Sequence, residues 1–169
     1  MSVVDIELQP FDLREVLWAP QPTAAETARR CLLCEAGEAR FALPIEYLRS
    51  VEPNALVTPL PQLPDWVLGV TNVRGSVVGV VDLARFLGLG AAPAGRGRLL
   101  ICGTGERQVA LAVTAARSVL DYPPAALQEA PSIEGRVGRY VAGLVPTNEA
   151  AVPLLDIARL VADEELVRG

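Results

Sequence analysis

The chain has 169 residues, 51% of them hydrophobic, with a net charge of −5, a pI near 4.8 and a mean hydropathy of +0.32. A chain of this length buries about two-thirds of its unfolded surface without disulfides or metal, so one compact domain, or two small ones with a common core, is expected. The acidic balance repels a phosphate backbone and makes nucleic acid a poor partner. The 0 His residues remove the usual catalytic triads and most zinc and iron sites.

The first thirty residues are spaced as in helices and broken by Pro20 and Pro22. Asp12 with Glu15, and Thr23 with Glu26, have the form of capping boxes, so two short helices are predicted in a helical extension over residues 1–29. Leu13, Val16 and Leu17 fall on one side of the first, to pack on the domain or to serve as a partner-binding arm. The opening MSVVDIELQP lacks a basic, apolar leader pattern, and no run reaches the roughly 18 apolar residues of a membrane span. A cytoplasmic protein with no direct membrane insertion is expected.

From Cys31 the pattern changes to short apolar runs punctuated by Gly and Pro, as in CLLCEAGEARFALPI, which turns at Ala36-Gly37-Glu38. WVLGVTNV and SVVGVVDL flank Arg74-Gly75 and predict a hairpin rich in β-branched residues.

Sliding the sequence along itself exposes a duplication. CLLCEAGEARFALPIEYLRSV, from Cys31, aligns with LLICGTGERQVALAVTAARSV, from Leu99, with identity at nine of twenty-one positions, including Gly37/Gly105, Glu38/Glu106 and Ser50/Ser118. GVTNVRGSVVGVVDLARF, from Gly69, aligns with GLVPTNEAAVPLLDIARL, from Gly143, pairing Asp82 with Asp156 and Arg85 with Arg159. Each copy holds about five short strands and a short helix, the size of a small closed barrel. The expected fold is mainly β: residues 30–169 as one domain, with a first barrel over about 30–90, a second over about 97–165, and GLGAAPAGRGR as the link between them.

The duplication separates structural from functional candidates. Cys31 and Cys34 form a CxxC, but Cys34 aligns with Cys102 and Cys31 with Leu99, which marks core positions rather than a redox or metal pair. Residues three apart on a strand also point to opposite faces. Asp82 and Asp156 each precede LAR or IAR and suit a helix N-cap better than a catalytic dyad. No phosphate-binding loop or GxSxG is present, so no cofactor and no catalysis are expected. The copies disagree at NVRG, residues Asn72, Val73, Arg74 and Gly75: Pro146, Asn148 and Glu149 replace Asn72, Arg74 and Gly75. A turn the fold does not require, carrying a planar guanidinium beside apolar strands, is a candidate interface anchor.

From about Cys31 to Leu166 the chain resembles the CheW-like family, the coupling proteins of bacterial chemosensory arrays, through FALPIEYLRSV, TPLPQLP, GVTNVRGSVVGVVDL, QVALAVTAARSVL and YVAGLVPTNEAAVPLLDIARLV. The central GVTNVRG string with its following VDL is the most specific piece. The resemblance implies two five-stranded SH3-like barrels with a shared core and a non-enzymatic scaffold. The implied partners are the regulatory domain of a CheA-type histidine kinase and the cytoplasmic tip of methyl-accepting chemoreceptors, which would tie the protein to membrane-bound arrays. It places the functional arginine on Arg74, with Asn72 and Gly75 shaping the turn, and assigns Leu48 and Val51 to a segment that contributes interaction surface. Gly79 stands where the family often has Pro, and Thr114 where it often has an acid. The long start points to a specialised array, such as one for surface motility. The competing expectation is a small-molecule or nucleotide-binding barrel pair that uses the cleft between copies.

Overall fold

A computed structural model describes residues 27–53, 56–90 and 97–168. The predicted helices of the extension lie outside the described residues, and the first strand already begins at Arg29. The first copy contributes β1 (Arg29–Ala36), β2 (Ala39–Pro44), β3 (Leu48–Pro53), β4 (Val67–Val73), β5 (Ser76–Asp82) and helix α1 (Leu83–Phe86). The second contributes β6 (Arg98–Thr104), β7 (Arg107–Val113), β8 (Ala115–Tyr122), β9 (Val141–Val145), β10 (Val152–Leu155) and helix α2 (Ile157–Ala162), followed by α3 (Glu165–Arg168).

The strands form two five-stranded sheets, ordered β8-β1-β2-β10-β9 (sheet A) and β3-β6-β7-β5-β4 (sheet B). Replacing each strand by its counterpart in the other copy converts one order into the other. The duplication is therefore real in three dimensions, but the expected boundaries, 30–90 and 97–165, are corrected: each sheet combines a hairpin of one copy with three strands of the other. The cause lies at the second strand of each copy. Pro44 has no N–H to extend the ladder, and the 3-10 turn Ile45–Tyr47 carries the chain across to sheet B. Thr114 makes the return crossing; its N–H donates to Glu35 O at 2.8 Å and its hydroxyl accepts from Gly37 N at 2.9 Å. The GLGAAPAGRGR stretch, expected to join two barrels, instead falls in the sequence between β5 and β6, two strands of the same sheet.

Both sheets close on themselves by the same device. Beyond β3, Thr58 exchanges backbone hydrogen bonds with Val70 of β4 at 2.8 and 2.9 Å; beyond β8, Gln128 does the same with Leu144 of β9 at 2.9 and 2.9 Å. Such closure satisfies edge groups that would otherwise invite pairing with other chains. It also explains a shared glycine. A Cβ on Gly69, at φ +140, would stand 2.0 Å from Thr58 O, and one on its counterpart Gly143 would stand 2.9 Å from Gln128 O.

Alternation along the strands sends side chains into different cores. Cys31, Ala42, Leu120 and Leu154 fill sheet A, while Val78, Val80, Leu99, Ile101 and Ala110 fill sheet B. The opposite faces of the same strands, with Leu32, Cys34, Phe41, Leu43, Leu100, Cys102 and Leu111, join Phe86, Leu155 and Leu160 in one large core between the barrels. Each such Leu or Phe gains about 1.5–3 kcal/mol from burial, so the pair is held as one unit. The shared core expected from the resemblance is this cluster.

Candidate protein-docking hairpin

The residues shared by both copies build the frame. Asp82 accepts a hydrogen bond from Arg85 N at 3.2 Å and Asp156 from Arg159 N at 3.0 Å, so both cap short helices as the sequence predicts. The backbone N–H of Asp82 donates to Trp66 O and that of Asp156 to Tyr140 O, both at 2.7 Å. Arg85 and Arg159 donate to the carbonyls of Asp65 (2.9 Å) and Arg139 (3.0 Å), so these repeated arginines anchor the chain ahead of β4 and β9.

The thiols are equally structural. Cys31 faces the sheet A core, whereas Cys34 and Cys102 face the core between barrels, which matches the opposite-face expectation. Burial pushes Cys31 up to about 11 and Cys34 and Cys102 up to about 12, so all three stay protonated at neutral pH and react poorly.

NVRG is different. Val73 pairs with Ser76, leaving Arg74 (φ +50) and Gly75 (φ +87) as the two central residues of a hairpin turn. Positive φ at both positions gives the turn whose twist matches the flanking strands. Asn72 Oδ1 accepts from Gly75 N at 2.9 Å and locks it. Arg74 pays for the left-handed conformation with roughly 1 kcal/mol of strain, because it has a Cβ. It is exposed, and no described carboxylate lies within 4.0 Å of its guanidinium. The equivalent connection in the second copy is longer, is organised by Thr147 Oγ1, which accepts from Ala150 N at 3.2 Å, and ties Glu149 to Arg40 in an ion pair.

Asn72, Val73, Arg74 and Gly75 thus stand together at one tip. Leu48 and Val51 do not join them: both lie on β3, at the other end of the sheet order, with β6, β7 and β5 between. Leu48 is half-buried and packs on the core between barrels, while Val51 is exposed. Beside the hairpin runs a shallow groove of about 360 Å³, lined by Leu56, Thr58, Val70, Thr71, Asn72 and Val77. Leu56 is 89% and Val77 73% exposed, and sequence reading missed both. Val77 sits in SVVGVVDL, where β5 is apolar on both faces, so alternation carries no signal there. Leu56 was hidden in a proline-rich connection whose pairing with β4 is a tertiary event.

Two interleaved, closed barrels from a duplicated sequence, one bearing a hairpin that its counterpart lacks, define a double-barrel protein whose distinguishing feature is surface rather than pocket. The model of the CheW-like domain matches residues 30–165, and the chain belongs to that family. It is 32% identical over 127 residues to protein FrzA of Myxococcus xanthus, covering 73% of this chain and 79% of that protein. It is 27% identical over 146 residues to the chemotaxis protein CheW of Klebsiella aerogenes, covering 85% and 88%. The scaffolding protein TtCheW of Thermoanaerobacter tengcongensis shares the fold, with a TM-score of 0.69 at 20% identity over 82% of this chain and 86% of that one. By family the chain is a chemotaxis-type coupling protein.

Proposed function

We propose that this chain is a non-enzymatic adaptor that holds the regulatory domain of a CheA-type histidine kinase and the cytoplasmic tip of methyl-accepting chemoreceptors in one array, for chemotaxis or surface motility. It works in the cytoplasm and reaches the membrane through its partners. The observation that carries this reading is the strained, exposed Arg74 at a locked turn that the second copy replaces. Backbone strain kept where the fold does not need it points to a partner. A guanidinium flanked by the apolar groove of Leu56 and Val77 combines the charged anchor and apolar contact typical of docking hot spots. Individually modest contacts of this kind gain strength when an array engages many at once.

Reconstitution tests the reading. Receptor-containing membranes, kinase and the purified chain give receptor-dependent kinase activity, and Arg74→Glu abolishes that dependence while the protein stays folded. Unchanged coupling with Arg74→Glu sinks the hairpin assignment. Ligand-pocket readings have less support, because the cleft lined by Glu35, Arg40, Arg117 and Glu149 has its charges already paired with one another.

A further inference from the structure

The two barrels carry matching arginines, but only one neutralises them. In sheet A, Arg30 Nε meets Asp121 Oδ1 at 2.7 Å, Arg117 meets both oxygens of Glu35 at 3.0 and 3.0 Å, and Arg40 pairs with Glu149. The counterparts in sheet B are Arg98 opposite Pro53, Arg49 against Gly103, and Gln108 with Gly75. Both strand arginines are kept and every carboxylate is gone. Among the described residues, Arg49 donates only to the carbonyl of Gly105 and Arg98 only to that of Gly97, at 3.3 Å, and no carboxylate lies within 4.0 Å of either.

Local geometry keeps it so. A Cβ at residue 103 would stand 2.5 Å from Arg107 O and 3.0 Å from the Arg49 guanidinium, so no acidic side chain fits there. Arg49, Val51 and Pro53 are the exposed residues of β3, and Arg98, exposed, pairs opposite Pro53. Glu52, on the alternate face of β3, is half-buried. The result is a strip of two uncompensated arginines around an exposed valine.

We propose that this β3–β6 strip docks a protein surface bearing carboxylates, which supply from outside what Asp121 and Glu35 supply within sheet A. Two arginines on a chain of net charge −5 suit an acidic protein patch and not a nucleic-acid backbone. The strip lies on β3 and β6, whereas the hairpin is the tip of β4 and β5. Taking the kinase regulatory domain as the bearer of the acidic patch rests on the adaptor reading above; the strip itself does not.

The test has two arms. In the first, the ¹⁵N-labelled chain is titrated with hexaglutamate. Amide shifts at Arg49, Val51 and Arg98 that vanish in Arg49→Gln/Arg98→Gln, with none at Arg30 or Arg117, support the strip. Equal shifts on both barrels, no shifts, or a stronger response at the strip to a DNA oligonucleotide overturn it. In the second arm, kinase regulatory-domain affinity falls about tenfold in Arg49→Gln/Arg98→Gln, with a weaker salt dependence, and holds in Arg30→Gln/Arg117→Gln. Unchanged affinity in the first pair removes the kinase from the strip. Wild-type chain that binds hexaglutamate at the strip but no kinase leaves the strip standing and counts against the adaptor reading instead.

Discussion

Trp66 and Tyr140 hold equivalent places ahead of β4 and β9, and both pack on Phe86, with ring centroids 5.7 and 5.4 Å away. The Arg136 guanidinium lies 4.5 Å from the Trp66 ring centroid and 5.0 Å from that of Phe86. The C-terminal segment grips both outer rings: Trp66 Nε1 donates to Leu166 O at 3.2 Å and the Tyr140 hydroxyl donates to Asp163. Phe86 is fully buried, so Phe86→Ala should cost about 3–5 kcal/mol. Urea unfolding followed by Trp fluorescence and by far-ultraviolet dichroism should show one coincident transition at a lower midpoint, since the barrels share this core.

The hairpin allows fold and function to be separated. Arg74→Gly removes the left-handed strain, so it should leave stability unchanged or raise it by up to about 1 kcal/mol while abolishing receptor coupling. Thermal unfolding beside the reconstituted kinase assay checks both halves. A coupling-competent Arg74→Gly protein would mean that the guanidinium is dispensable.

Barrel closure predicts an order of severity. Gly69→Ala places a methyl against a carbonyl that has no room for it, and Gly143→Ala makes a milder clash. The first should lose several kcal/mol, on the scale of overpacking with backbone shifts, and the second about 1–2 kcal/mol. Chemical denaturation of the two variants gives the comparison directly.

The Tyr140–Asp163 contact sets limits at both ends of the pH scale. The Tyr140 hydroxyl, with help from Glu165 N, holds the Asp163 carboxyl below its ordinary range, and Arg117 does the same for Glu35. Their stabilising contribution is complete above the unfolded carboxylate values near pH 4 and fades as pH falls through the lower folded ones. Burial, then the bond to Asp163, pushes Tyr140 up to about 12. Its contribution is complete below about pH 10, the unfolded value, and is lost as pH rises through about 12. Alkaline absorbance titration should therefore show a late phenolate step that Tyr140→Phe removes, and acid unfolding of that variant should begin at higher pH.

Much of this was readable in the residues. The duplicated Asp82/Asp156, Gly69/Gly143 and Cys34/Cys102 pairs all proved to be frame, for the physical reasons that repetition implies: caps, close approach and core. The turn at Arg74-Gly75 followed from its composition. Strand exchange did not, because a repeat shows which segments are equivalent and says nothing of which copy each pairs with. Arg49 and Arg117 stand in the same RSV triplet, and only the pairing of β1 with β8 brings Glu35 to one of them. Leu56 carried no periodic signal because its pairing with β4 is a long-range event, and Val77 carried none because β5 is apolar on both faces.

Strand exchange also orders events during synthesis. Sheet B is one continuous stretch, from Leu48 to Val113, whereas sheet A needs both ends of the chain, Arg29–Pro44 and Ala115–Leu155. As the ribosome delivers the polypeptide, the β1–β2 hairpin emerges first and finds its neighbours last, after the whole of the other barrel has been made. Until then its apolar faces, Leu32, Cys34, Phe41 and Leu43, have only the newly closed sheet B to rest on. The core between barrels is thus the template on which the second barrel is completed, and substitutions there should slow its assembly as well as weaken it.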